Sequence, residues 1–306
     1  MEGLTIGLFG HLDGVGRELG KKGTESDIAI YHYKVGDKLV SYVEPKRYPD
    51  KIAPLIYTIN MMDYALVFVD DVSKDLGETF LTLDMFNIDR GAFVVHEYVD
   101  VDFLKEIIKN TSLKNFEILE KDFIKIREYI KDLKIERDLS YKKITIDHYF
   151  TVKSVGTVIL GKVDKGIVNV YDKLNVYPIK KEALIKSIQI NDVNYKEAKA
   201  GDRVGIALKG VDTEELDRGY ILSDKELKTY SEITAKFELN PFLDKKIKEN
   251  ETYNLIVGLQ NVACKVEKVN NNEITLKLNN PIVYDDEKLC LVDGSAKIRI
   301  VGVGNL

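Results

Sequence analysis

The chain has 306 residues, 44% of them apolar and 31% charged, with a formal net charge of −5. That length asks for more than one domain, and the acidic balance excludes the overall basic footprint of a DNA-binding protein. No apolar run reaches the length of a membrane-spanning helix, and the opening MEGLTIGLFGH has no basic segment followed by a long apolar one, so no membrane partner and a cytoplasmic location are expected.

Residues 1–138 read as an α/β domain. The apolar run at 4–9 ends in Gly10, which predicts a buried strand feeding a loop. Two alternating runs between Asp27 and Val43, joined at Val35-Gly36-Asp37-Lys38, predict a hairpin. Pro49 suits the first turn of a helix. That helix would carry Ile52, Leu55, Ile56 and Ile59 on one face, with Pro54 disturbing its start. The fully apolar Tyr64–Val69 predicts a strand covered on both sides. Asp75 with Glu78 has the spacing of a capping box that opens a helix with Leu76, Phe80 and Leu83. A second buried strand is expected at Gly91–Val95, a helix at 102–109 and a last strand at 116–119. A final helix runs through Phe123, Ile126, Ile130 and Leu133. Strands that alternate with helices imply a mostly parallel sheet.

Residues 139–226 change character. Leu174 and Val176 alternate with Lys173 and Asn175, Ile188 and Ile190 with Ser187 and Gln189, and Val204, Ile206 and Leu208 with Arg203, Gly205 and Lys209. Short period-two strands separated by turn residues predict a small closed barrel. Residues 227–306 read as a second barrel. There Ile233, Ala235, Phe237 and Leu239 form one strand, Asn270-Asn271-Asn272 turns a hairpin, and Ala296, Ile298 and Ile300 lie in the last run. The two cysteines, Cys264 and Cys290, do not make a secreted disulfide framework and read as buried thiols rather than a bridge.

The segments SVGTVILGKVDKG, KSIQI, EAKAGDRVGIALKGV and DRGYIL, in this order, resemble the second domain of EF-Tu-class translational GTPases, and most closely the selenocysteine-specific elongation factors of the SelB type. One departure is Tyr171, where that family has a glycine before the residue matching Asp172. The resemblance implies an α/β GTPase-like domain followed by two small β-barrels. It also implies a phosphate-binding loop after the first strand. Where the family reads G-H-V-D-H-G-K-T, this chain has Gly10, His11, Leu12, Asp13, Gly14, Val15, Gly16, Arg17 and Glu18. The lysine that reaches the phosphates becomes Arg17 and the magnesium-holding hydroxyl becomes Glu18, with the glycines one residue too far apart. Gly10, His11, Asp13, Gly16 and Arg17 are therefore candidates for a vestigial nucleotide site. Three more motifs fail in register. The switch threonine falls on Glu25, D-x-P-G-H becomes Val43-Glu44-Pro45-Lys46-Arg47, and the guanine-reading N-K-x-D becomes His96-Glu97-Tyr98-Val99. Because phosphoryl transfer rests on positioning and charge, the four losses together predict a site no longer used for GTP hydrolysis. No cofactor is expected, and GTP with magnesium enters only if the chain is a divergent active GTPase.

No other catalytic signature is present. His11, His32, His96 and His148 are far apart and none has a ligand at metal spacing. Asp70-Asp71, after an apolar strand, reads as turn and helix capping. The family holds an aminoacyl-tRNA end with the second domain and its junction to the first. On this barrel Lys186, Arg203, Lys209 and Arg218 are the corresponding basic candidates, interleaved with Asp202, Asp212, Glu214 and Glu215. The expected partners are tRNA, the ribosome or another translation factor. A protein-interaction scaffold that regulates a genuine elongation factor is the remaining reading.

Overall fold

A computed structural model describes residues 2–243 and 246–306. The first domain is a seven-stranded sheet built from β1 (Glu2–Gly10), β2 (Lys21–Glu25), β3 (Ala29–Val35), β4 (Lys38–Glu44), β5 (Tyr64–Val69), β6 (Gly91–Val95) and β7 (Glu117–Glu120). Its order is β2-β3-β4-β1-β5-β6-β7, parallel from β4 onward and antiparallel at the β2-β3-β4 edge. Five helices, α1 (Val15–Leu19), α2 (Ala53–Met61), α3 (Lys74–Met85), α4 (Val101–Ile108) and α5 (Phe123–Asp132), cover its two faces. Strand alternation divides the core accordingly. Val67, Val69 and Phe93 pack with α2, α3 and α4, while Leu66, Phe68 and Val94 pack with α1 and α5.

Three local expectations are corrected. Pro49 follows a cis peptide bond and lies in a turn; the helix begins at Ala53, with Pro54 in its first turn. Proline fits there because the first-turn N–H has no helical acceptor. The cap of α3 is Ser73, whose side chain accepts from Leu76 N, and not Asp75. A serine in extended backbone places its oxygen over the free amides, whereas Asp75 is already inside the helix. Ile298 precedes the last strand, which starts at Ile300. The edge strand β2 was not anticipated, because Lys21–Glu25 is polar throughout.

The middle domain contains β8 (Lys143–Val152), β9 (Gly156–Lys165), β10 (Ile167–Asn169), β11 (Lys173–Tyr177), β12 (Lys181–Ile190), β13 (Val193–Tyr195), β14 (Glu197–Lys199), β15 (Arg203–Lys209) and β16 (Ile221–Ser223). The order β11-β16-β8-β9-β15-β12 closes through a β11–β12 pairing, so this is a barrel. The last domain holds β17 (Lys228–Leu239), β18 (Thr252–Val257), β19 (Gln260–Asn270), β20 (Glu273–Tyr284), β21 (Leu289–Val292) and β22 (Ile300–Asn305), closed in the order β17-β20-β19-β18-β21-β22. The hairpin between β19 and β20 turns with Asn271 at φ 53. Cys264 and Cys290 are free and buried, and burial pushes the Cys264 thiol up to about 12. No helix among the described residues is long and apolar enough to cross a membrane.

Candidate functional site

The parallel strands β1, β5, β6 and β7 end on one edge of the sheet, where α/β folds take their ligands. Backbone geometry there explains two of the glycines. Gly10 has φ 84, and a Cβ would fall 2.1 Å from Phe68 O. Gly16 has a different duty: a Cβ would strike the Tyr31 ring at 2.2 Å. Gly16 is therefore kept small by an aromatic ring packed on α1. The helix itself has only five residues, with Gly14 before it in the left-handed region and no side-chain cap.

The cleft beside this loop has a volume of about 250 Å³ and is lined by Gly10, Asp13, Gly14, Glu44, Lys46, Tyr48 and Thr79, among others. Glu44 is buried at the end of β4. Lys46 Nζ lies 3.1 Å from its Oε1, so the lysine lining the cleft is already paired. Burial, followed by the charge of Glu44, pushes the Tyr31 phenol up to about 12. An entering phosphate would thus meet Asp13 and Glu44, with one cation committed to the second. Arg17 is exposed and does not line the cleft. His11 turns toward the end of β5, where Nε2 is 3.0 Å from Asp71 Oδ1 and Nδ1 accepts from Asp70 N. Asp70 in turn pairs with Lys121 at 3.2 Å. Asp71 faces the His11 ring and Asp70 pairs with Lys121, while Ser73 caps the helix, which corrects the reading of the two aspartates as helix caps.

At the far end of the same edge, a hollow of about 440 Å³ is lined by Val95, His96, Glu97, Val99, Val101, Glu120, Lys121 and Asp122. The rings of His96 and Tyr98 stack at 4.3 Å. Asp100 caps α4 by accepting from Phe103 N.

The four basic candidates of the middle barrel divide in two. Arg203 and Arg218 face the first domain and are held there. Arg203 forks onto Asp147, with Nη2 2.9 Å from Oδ1. Burial opposes ionisation of Asp147, but the charge of Arg203 and the hydrogen bond from His148 outweigh it and hold the carboxyl down at about 2. Arg218 forks onto Asp27 at 2.7 and 2.9 Å and lies over the Tyr57 ring. Lys186 and Lys209, by contrast, make no ion pair among the described residues. Both line a surface hollow of about 520 Å³ together with Val155, Gly156, Gly210, Val211 and the carboxylates Asp212 and Glu214, among others. Between the two pairs of basic residues, Gly205 of β15 lies beside Leu160 and Gln189 in register. A second hollow at the junction is lined by Thr24, His32, Gln189, Asn191 and Arg203, among others. Burial, assisted by the charge of Arg203, holds the His32 ring down at about 4 and hence neutral.

The interdomain carboxylates were missed in the sequence. Asp63 receives Arg137 from the linker at 2.8 Å, Lys162 from the middle barrel at 2.7 Å and the amide of Thr5. Lys143, buried on β8, meets Asp285, Asp286 and Glu287 of the last domain at 3.1, 3.3 and 2.6 Å. Arg299 Nε donates to Glu78 of α3 at 3.0 Å. One apolar core is also shared: Ile52, Leu55, Ile56 and Ile59 pack with Ile256, Leu259, Cys290, Val292 and Ile300. The only sequence signal was the acidic triplet 285–287. Among the described residues no His, Cys, Asp and Glu cluster could hold a metal ion.

Known proteins share this organisation. The profile of elongation factor Tu domain 2 matches residues 156–223, and that of the initiation factor eIF2 gamma C-terminal region matches residues 232–306. An uncharacterized protein of Methanocaldococcus jannaschii is 65% identical over the full length of both chains. The selenocysteine-specific elongation factor of the same organism is 32% identical over 94% of this chain and 71% of its own. The crystal structure of translation elongation factor SelB from Methanococcus maripaludis, in complex with a GTP analogue, superposes with a TM-score of 0.84 at 27% identity, over 100% of this chain and 79% of that one.

Proposed function

Because this chain belongs to the family of selenocysteine-specific elongation factors, we propose that it is an elongation-factor-like protein that works without hydrolysing GTP and binds tRNA or a ribosomal component through its middle barrel. The observation that supports the first half is the lining of the phosphate cleft, where Asp13 and Glu44 stand and Lys46 is paired to Glu44. A triphosphate carries several negative charges, and catalysis of its transfer needs cations and backbone amides placed around it. This cleft offers the opposite sign, and its helix is five residues long.

The second half is supported by Lys186 and Lys209, which make no ion pair among the described residues and line one surface hollow of the barrel. Phosphate contacts from lysines position an RNA without reading its sequence. Calorimetric titration with GTP and GDP in magnesium is expected to give no binding; magnesium-dependent binding at micromolar affinity would sink the first half. The second half is read by fluorescence anisotropy with tRNA. The double variant K186E/K209E should weaken binding by roughly tenfold and flatten its salt dependence, and an unchanged affinity would refute the assignment.

A further inference from the structure

The edge that would hold a guanine base has a surface of another kind. All five exposed large apolar side chains of the first domain, among the described residues, lie on the loops and helices that leave it. They are Val72 after β5, Tyr98 after β6, Phe103 and Ile107 on α4, and Ile124 at the start of α5. Tyr98, Phe103 and Ile124 are 65%, 55% and 68% exposed. Phe103 and Ile107 are four residues apart, so they share one face of α4, while Leu104 and Ile108 point into the core. Apolar groups gathered in one place, and not scattered singly, mark an interaction surface.

Charge says what kind of partner fits. The segments 70–75, 97–107 and 120–125 that form this edge carry nine carboxylates against four lysines, an excess equal to that of the whole chain. Lys121 and Lys125 are tied to Asp70 and Glu120. The hollow between the loops is lined by Glu97, Glu120 and Asp122, and the buried Nδ1 of His96 there has no hydrogen-bond partner. An RNA would bring phosphates to carboxylates. A second copy of this chain docked face to face would stack the same carboxylates on one another.

We infer that this edge, formed by the ends of β5, β6 and β7 with α4, is a docking site for a protein partner, which presents apolar side chains flanked by lysine or arginine. This rests on the cleft being free of nucleotide. Burial of the aromatic and aliphatic anchors supplies affinity, and the acidic rim selects the sign of the partner.

The probe is a fluorescent synthetic amphipathic helix with leucine on one face and lysine on the other, added to the full chain. The double variant F103S/I124S alters no charge, and both side chains are exposed, so it should melt with the parent. It is expected to bind the probe at least roughly tenfold more weakly, whereas K186E/K209E should bind it as the parent does. Equal binding by F103S/I124S, or equal binding of a helix with glutamate in place of lysine, overturns the inference alone. Displacement of the probe by GTP overturns both this inference and the nucleotide-free reading, and RNA binding through Lys186 and Lys209 would be untouched by either result.

Discussion

Tyr171 is one position at which the chain departs from the glycine that its resemblance to the family implies, and the structure gives the physical content of that departure. Its φ is 75, and its ring is exposed. A side chain in the left-handed region crowds the following carbonyl, at a cost of about 1–2 kcal/mol. The turn tolerates it because Tyr171 N still donates to Ile185 O at 2.8 Å. Glycine removes the crowding but frees the unfolded chain, so Y171G should stabilise by up to about 1 kcal/mol in urea unfolding. A loss of stability would mean that the exposed ring makes contacts which matter. This position was legible in the sequence, since a missing family glycine is a conformational statement. Arg203 and Arg218 were legible only as basic residues. Their partners, Asp147 and Asp27, lie 56 and 191 residues away, and a pairing over such separations leaves no local pattern. Asp147 adds a second obstacle, because a register shift on β8 between Ile146 and His148 breaks the alternation that would have shown which way it points.

Among the elements, strands and helices with strong periodicity were read correctly in kind, and their boundaries moved by a few residues. The buried strands β5 and β6 and the hairpin of β3 and β4 stand where the apolar runs and the Gly36-Asp37 turn put them. The helix starts did not. Ser73 and Pro54 displaced Asp75 and Pro49, because several residues of the right type competed for each cap and only backbone geometry chooses. The α1 helix, which follows the loop at Gly10–Gly14, has only five residues. Restoring the family letters with R17K/E18T returns a lysine and a hydroxyl, but it leaves five helical residues, Gly16 beneath Tyr31, and Glu44 in the cleft. Calorimetry should therefore detect no GTP binding by that variant. Binding would show that the cleft lacked nothing but those two side chains.

For the molecule as a whole, domain order and fold class were visible in the sequence, while the way the domains hold one another was not. Burial opposes ionisation of Asp63 and Asp147, but Lys162 and Arg137 around the first and Arg203 beside the second keep both below the ordinary carboxylate range. Such groups stabilise the folded state fully above their unfolded pKa of about 3.9, and that contribution is lost as pH falls through the folded values. Burial raises Asp164 and Asp202, which act in the opposite sense and offset part of the loss. Stability to urea should fall below about pH 4. D147N leaves Arg203 buried and unpaired, so it should be less stable at neutral pH by about 3–5 kcal/mol and should lose less than the parent on acidification. A parallel acid profile for the two proteins would contradict this assignment.

The linker between the α/β domain and the middle barrel is held at Arg137, which donates to Asp63 and to the carbonyl of Gly3 while Lys162 reaches the same carboxylate from the barrel. The chain is thus stitched across its own joint by groups that do not depend on the peptide bond there. Covalent continuity through residues 133–136 is redundant to the shape. A chain nicked in that stretch would remain one particle, its two pieces bound as subunits of a dimer whose interface was already complete before the cut.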